Sequence, residues 1–360
     1  MTLRDKRQKE FADVWMQTKF GILNLCPRFG KIRTSINIFN NFPPHSTILI
    51  AYPDGKIKES WLADFETLGY NNPNVSFTTH LSLKKHVDHI FDIVVIDEIH
   101  LLSEAQLEVC SELFEHNFNV LGLTGTLTSY TENDIYQATR LSVVAEYSIE
   151  KAIEEGVIVD YSITVYTVPL DNKKVLDFKG KKRTEKKQFD AVSWAIDKME
   201  RESRNTMFMR LGRMRLIQKS YAKIEATKKL LEKHADERIL VFCGVTDVAD
   251  SLGCPSYHSK SGEKNMFEEF AEGKGKHMAV VKIGNTGVTY KPLNKVIINY
   301  FDSNGENMAQ KIFRCMAMEY NNLNKKAEVI IVSSNEPVEL KWLKRALEFF
   351  DKTKIKFVSL

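Results

Sequence analysis

Two short stretches hold the residues best suited to chemistry. In "FDIVVIDEIHLLS" (91–103) an unbroken apolar run ends in Asp97, Glu98 and His100. Such a run reads as a strand buried on both faces of a parallel sheet. Ligands meet parallel sheets beyond the carboxyl ends of their strands, so two acids there face a cleft rather than the core. Phosphate chemistry uses such a pair: one carboxylate holds magnesium directly or through water, and the other orients or deprotonates an attacking water. The competing reading is a surface turn before a helix with an acidic first turn, which the helix dipole favours. The second stretch is "CPRFGKIRTS" (26–35), which lies between the apolar run "FGILNL" and the helix-like "SINIF". A Gly-Lys pair in that position, Gly30 and Lys31, suits a phosphate loop, where backbone N–H groups and a helix N-terminus face an anion. The full signature wants an earlier glycine and a Ser or Thr directly after the lysine. Here the loop has one glycine, and Ile32 follows Lys31.

Both stretches need strands and helices to hold them, and the chain supplies an alternation of the two. Strands are expected at 22–25, 47–51, 91–96 and 120–123, with helices between them such as 57–68 and 103–114. Crossover helices between buried strands define an α/β domain with a parallel sheet. The stretch 171–188, "DNKKVLDFKGKKRTEKKQ", is dense in Lys and Arg and reads as an exposed loop or hairpin, followed by a long helical region over 189–235. Apolar runs then resume at 238–244, 277–284, 295–301 and 327–334, and a charged helix is expected at 336–353. The expected organisation is therefore two parallel-sheet domains, 1–150 and 220–335, joined by a basic, helical region over 151–219, with a closing helix over 336–360.

Composition sets outer bounds. A chain of 360 residues fits two or three domains. The net charge of +4 is compatible with nucleic acid without demanding it. Five widely separated cysteines with no CxxC pair read as reduced thiols of a cytosolic type, with no structural metal. The charged start "MTLRDKRQKEF" does not read as a signal peptide, and no apolar run approaches the roughly 20 residues a membrane helix needs.

Asp-Glu-x-His after an apolar strand resembles motif II of the superfamily 2 helicases and translocases, and other stretches follow in that family's order. "LGLTGTL" (121–127) resembles motif III, whose threonines, here Thr124 and Thr126, link the ATP site to strand movement. "ILIAYPDGKIKESW" (48–61) resembles motif Ia, which makes Pro53 and Lys56 candidates for contact with a nucleic-acid backbone. "LRDKRQ" (3–8) resembles the segment whose glutamine reads adenine, here Gln8, one residue later than the commonest spacing. "RILVFCGVTDVADSL" resembles motif IV, and "YHSKSGEKNMFEEFAEGK" the next segment, with His258 and Ser259 near a bound strand. "VVKIGNTGVTYKPLNKVIIN" resembles motif V in the form seen in phage recombination and branch-migration helicases, with Thr286 and Gly287 in place of an acid-containing turn. "NMAQKIFRCMAM" resembles motif VI, with Gln310 and Arg314 in place. The resemblance spans about residues 3–320 and implies two RecA-like domains in tandem.

The chain departs from that pattern in two places. The phosphate loop resembles the short form of motif I, with Arg28 where its first glycine would be. With Ile32 after Lys31, magnesium would lean on Asp97, the phosphates and water. Thr34 lies about 200° around the helix from Ile32, whereas Ser35 shares its face roughly 4.5 Å further along. In motif VI, Ala317 holds the position of the second arginine, commonly the finger on the γ-phosphate.

The resemblance implies ATP and Mg2+ as ligands, held by Gly30, Lys31, Asp97, Glu98 and His100 from one domain and Arg314 from the other. Binding would close a cleft between the domains, and hydrolysis would open it. The implied partner is nucleic acid, DNA more than RNA and branched or forked in particular, with Lys181, Lys182 and Arg183 of the basic stretch adding to the grip. A protein partner or the basic region would supply targeting, and the implied location is the cytoplasm (that of the host for a virus-encoded chain). The alternative reading is a degenerate ATPase of the same fold that binds nucleic acid or a partner with little turnover. A nuclease lacks a second acidic cluster in the sequence.

Overall fold

In a computed structural model, the described residues are 2–178, 180–260, 264–281, 290–291, 293–317 and 325–360, apart from the side chains of Lys56, Lys264 and Glu306. They form two compact units, Met1–Val159 and Asp160–Leu360.

The first unit holds strands β1 (Phe20–Leu25), β2 (Ile48–Tyr52), β3 (Val75–Thr79), β4 (Ile93–Ile96), β5 (Val120–Thr124) and β6 (Val143–Tyr147). Its helices are α1 (Leu3–Thr18), α2 (Lys31–Phe39), α3 (Gly55–Leu68), α4 (Glu104–Phe114), α5 (Ser129–Thr139) and α6 (Ile149–Glu154). The strands form one parallel sheet in the order β3-β2-β4-β5-β1-β6. The strands β2, β4 and β5 are buried at every position, so each side chain meets a helix layer whichever face it takes. One face packs Leu49, Val94 and Ile96 against Leu107, Cys110 and Leu113 of α4. β5 lies between β4 and β1, so the loops following β4 and β1 reach toward each other over it. Gly122 on β5 makes room: a Cβ there would sit 2.9 Å from Ile22 Cγ1 and 3.1 Å from Ile99 Cδ1.

The second unit holds β7 (Tyr161–Val168), β8 (Val175–Phe178), β9 (Lys181–Thr184), β10 (Ile239–Cys243), β11 (Ser256–Tyr257), β12 (His277–Val281), β13 (Lys295–Ile298), β14 (Ala327–Ser334) and β15 (Ile355–Ser359). Its helices are α7 (Glu185–Arg201), α8 (Met207–Gln218), α9 (Tyr221–Lys233), α10 (Thr246–Ser251), α11 (Lys264–Ala271), α12 (Gly305–Ile312) and α13 (Pro337–Ala346). Seven strands form a parallel sheet in the order β11-β12-β10-β13-β14-β7-β15, and β8 and β9 form a separate antiparallel hairpin. The chain is thus two RecA-like α/β domains in sequence, as expected.

The second sheet draws on two segments read differently from the sequence. β7 lies within the stretch assigned to the connecting region, and the helix expected over 336–353 ends at Ala346, with β15 after it. β7 mixes buried, half-buried and exposed positions and β15 has no fully buried one, so neither shows the unbroken apolar run that marked the inner strands. The basic stretch is a hairpin, tied down by Glu185. This buried carboxylate accepts the Asp171 N–H at 2.9 Å and, at the start of α9, the Tyr221 N–H at 2.9 Å.

Candidate functional site

The chain leaves β1, turns through Cys26–Gly30 and enters α2 at Lys31. Gly30 is the helix cap with φ 102 and ψ 57, a left-handed conformation that an L side chain rarely adopts. A side chain there is excluded twice over, because its Cβ would lie 2.5 Å from Gln8 Nε2. The buried Gln8 amide donates to the Phe29 carbonyl at 2.7 Å, so α1 holds the loop from beneath. Gln8 Oε1 is buried with no hydrogen-bond partner among the described residues. Phe29, Phe11 and Tyr147 pack their rings together below the loop, at centroid separations of 4.8 to 5.6 Å. Arg28 takes φ 70, the left-handed geometry for which glycine is the low-cost residue and which Arg adopts against strain. The first-turn N–H groups of α2 have no intrahelical acceptor and point out of the helix start, where the dipole is positive.

Lys31 reaches from this turn to Glu98, and the two form an ion pair. Burial works against the ammonium, but Glu98 and Asp97 together hold its pKa above the ordinary lysine value. Burial likewise works against Glu98, yet Lys31 and then His100 bring it below the ordinary carboxylate value. Glu98 itself sits at φ 50, ψ 50, a left-handed kink that turns its side chain back from the end of β4 toward the loop. Asp97 is the opposite case. Burial pushes it up to about 6, with Lys31 opposing and Glu98 adding to the rise. Its Oδ1 accepts the Glu98 N–H at 2.9 Å and its Oδ2 accepts the Trp61 indole N–H at 2.8 Å.

Two histidines complete the rim. His80 Nε2 lies 2.9 Å from the Asp97 carbonyl oxygen, and burial lowers its pKa to about 4. His100 Nδ1 lies 2.9 Å from Thr124 Oγ1 and 3.6 Å from Glu98 Oε2, and burial lowers it to about 4 as well. Both rings are neutral at pH 7. His100 thus stands between the end of β5 and Glu98. Thr124 Oγ1 also turns back on its own strand end, donating to the Thr126 carbonyl at 3.3 Å. Gly125 permits that close approach: a Cβ there would be 3.0 Å from the Leu25 carbonyl and 3.1 Å from the Pro27 ring.

Magnesium is the metal the resemblance implies. Among the described residues, no group of three His, Cys, Asp or Glu is arranged to hold a metal. The site offers one buried carboxylate, Asp97, each of whose oxygens accepts a single N–H and keeps further acceptor capacity. That suits magnesium, which binds through one or two carboxylates plus phosphates and water. The hydroxyls of Thr34 and Ser35 are donated to the carbonyls of Gly30 and Lys31 at 3.2 and 3.0 Å. Neither substitutes for the hydroxyl missing at Ile32.

The structure thus brings together Gln8, Arg28, Gly30, Lys31, Asp97, Glu98, His100 and Thr124. Trp61 and His80 belong with them and were not singled out from the sequence. Trp61 lies at the end of the motif Ia-like stretch, where its indole could have been read as a buried donor. Pro53 follows β2 at the same sheet edge and is half-buried, while Lys56 lies in the first turn of α3.

In the second unit His258 is buried and turned to Asp250, with Nε2 2.9 Å from Oδ1, while the adjacent Ser259 is exposed. Gln310 is half-buried on α12 and Arg314 is buried just beyond it. Lys181, Lys182 and Arg183 are exposed on β9. Thr286 and Gly287 lie outside the described residues.

Two parallel α/β sheets in succession, the first with a glycine-capped loop and an acid pair at the carboxyl edge of its strands, define a tandem RecA-like protein. No protein-family model matches the chain. In sequence it is 22% identical over 272 residues to the DNA 3'-5' translocase XPB2 of Sulfurisphaera tokodaii, an alignment that covers 69% of this chain and 61% of the relative. The chain therefore spans 61% of the length of that relative. In structure it matches a fragment assigned to the HsdR subunit of a type I restriction enzyme from Vibrio vulnificus YJ016, with a TM-score of 0.60 and 13% identity over 98% of this chain and 67% of that one. At that identity the second likeness is one of fold. With the ordered motifs, these likenesses support the resemblance to superfamily 2 helicases and translocases. No helix of the described residues is long and apolar enough to cross a membrane.

Proposed function

We propose that the chain is a nucleic-acid-dependent ATPase that translocates along or unwinds its substrate, with DNA preferred to RNA. The observation that carries the reading is the Lys31–Glu98 ion pair, set between a glycine-capped helix start and the buried Asp97. A cation paired only to a carboxylate at a helix N-terminus is ready to exchange that partner for a phosphate.

On this reading Lys31 and the first-turn N–H groups bind the β- and γ-phosphates, and the amide of Gln8, beneath the loop, faces the base. Asp97 holds magnesium, which when bound offsets phosphate charge as it develops. Glu98, released from Lys31, accepts the proton of the attacking water. Gln310 and Arg314 are assigned to the reacting phosphate on the family resemblance alone. Pro53, Lys56, His258, Ser259, Thr286 and the basic hairpin are assigned to the strand on the same ground. Grip on phosphates is electrostatic and largely independent of sequence.

The test is steady-state ATPase activity with single-stranded, duplex and forked DNA and with RNA. Stimulation by DNA, greatest on forks, is expected, and turnover indifferent to every nucleic acid would refute the motor. A second reading, a poorly hydrolysing binding module, draws on Ile32 and on the Thr34 and Ser35 hydroxyls already donated to their own helix. It predicts nucleotide and nucleic-acid binding without stimulated turnover.

A further inference from the structure

Met207, Arg210, Leu211 and Met214 recur on α8 at helical spacing, within about 100° of one another around its axis. An apolar stripe of this kind ordinarily faces a packing partner. Here it stands open: Met207 is 61% exposed and Leu211 38%. All four side chains line one cavity of about 550 Å³, together with Arg204 and with Trp342 of α13. The cavity has a fixed wall, because Trp342 also packs against the small core of Leu170, Phe189 and Ile217.

The lining limits what can fill it. Methionine is unbranched and polarizable, so it moulds itself to a partner's side chains and is common at surfaces that take protein segments. The stripe from Met207 to Met214 runs roughly 10 Å along the axis, the length of about two turns of a docked helix. Charge sets a second limit. Asp302 lines the cavity but is engaged at the start of α12, where Oδ1 accepts the Asn304 N–H at 3.0 Å and Oδ2 accepts from the Asn307 amide at 3.2 Å. Arg204 and Arg210 are paired with Glu202 and Glu200, in pairs exposed on both sides. Such pairs contribute little and exchange readily for another carboxylate. The segment 201–219 adds Arg201, Arg213, Arg215 and Lys219, with Glu202 as its acid. An occupant must bring large apolar groups to the stripe and carboxylates to the rim.

We propose that this cavity docks an acidic amphipathic segment of a partner protein, with its apolar anchors between α8 and Trp342 and its carboxylates on Arg204 and Arg210. The proposal goes beyond the ATPase reading and does not rest on it. A nucleic-acid strand would meet the arginines but would set its bases against methionine and leucine. It needs ring faces to stack on, and Trp342 is the single ring among the described residues that line the cavity.

The test is anisotropy of a labelled amphipathic helical peptide of about four turns, with Leu on one face and Glu elsewhere, titrated with the full chain. A second peptide carries Lys in place of every Glu, and a labelled oligothymidylate is titrated alongside. The Glu peptide is expected to bind about tenfold or more tightly than the Lys peptide. L211D is expected to weaken the Glu peptide about tenfold or more. R204E/R210E should reverse the preference, losing the Glu peptide and gaining the Lys peptide. These three side chains are exposed, so the unfolding midpoint and the ATPase activity without nucleic acid should hold in both variants. The Glu peptide should change the tryptophan emission of the wild type and not that of W342F. A Glu peptide that binds no more tightly than the Lys peptide, or that L211D leaves within twofold of wild type, refutes the docking site and leaves the motor reading untouched. Oligothymidylate binding that L211D weakens as much as peptide binding would assign the cavity to nucleic acid and overturn the proposal.

Discussion

The Trp61 indole donates to Asp97 Oδ2 at 2.8 Å, and both side chains are buried. α3 thereby anchors the carboxylate at the end of β4 from the neighbouring strand connection. Trp61→Phe keeps most of the ring and removes the donor, leaving a buried carboxylate oxygen short of one hydrogen bond. A loss of about 1–3 kcal/mol from the first unit is expected, measured as a lower urea midpoint. If Asp97 holds the metal, the magnesium requirement of the ATPase should rise as well. A loss of stability with the magnesium dependence unchanged would confine Trp61 to a packing role.

Glu98 and Lys31 make opposite predictions although they form one ion pair. Glu98→Gln removes the base and frees Lys31 from its partner, so nucleotide binding should persist or tighten. Turnover should fall about 10²- to 10⁴-fold. Lys31→Ala removes the phosphate partner and should abolish nucleotide binding, followed with a fluorescent ATP analogue. Turnover unchanged in Glu98→Gln would exclude the motor, and binding unchanged in Lys31→Ala would remove the loop from the site.

How much of this site was legible depended on how its parts were encoded. Asp97 and Glu98 announce themselves because they directly follow an apolar strand, and Gly30 and Lys31 because they open a helix a short turn after another. The strands β2, β4 and β5, buried on both faces, are near-continuous apolar runs for the same reason. β3 and β6, at the sheet edges, mix buried and open positions, and their sequences "VSFTT" and "VVAEY" carry no such run. In the second unit β15, at the sheet edge, has no fully buried position, and β7 beside it carries polar residues among its apolar ones. Trp61 and His80 reach the site only through pairing of β2 with β4 and β3, a long-range contact that no local period encodes. Gly125 matters through a backbone approach to Leu25 and Pro27, which is likewise invisible until β5 lies beside β1.

Ile32 offers a gain-of-function test. It is half-buried in the first turn of α2, so a smaller hydroxyl residue there costs little packing. Ile32→Thr should place a direct ligand where the chain now leans on Asp97, phosphates and water. The magnesium concentration for half-maximal ATPase should fall several-fold. An unchanged magnesium titration would show that the metal does not approach this turn.

Lys311 predicts a pH effect in the second unit. Its side chain is buried on α12, with Nζ donating to the Tyr300 carbonyl at 3.1 Å. Burial lowers its pKa from 10.5 to about 8, with Asp302 opposing the shift. Between those two values the unfolded chain carries a proton that the folded chain has released. Stability therefore rises with pH through that window, and below it the folded state carries the full penalty of a buried charge, up to about 3 kcal/mol. Lys311→Met abolishes that penalty but forgoes the bond to Tyr300, worth about 1 kcal/mol. The variant should be more stable than the parent by about 2 kcal/mol near pH 7, and the difference should disappear as the pH approaches 10. Thermal unfolding of both proteins between pH 7 and 10 measures it. A variant less stable than the parent at pH 7 would mean that Lys311 is charged and satisfied where it lies.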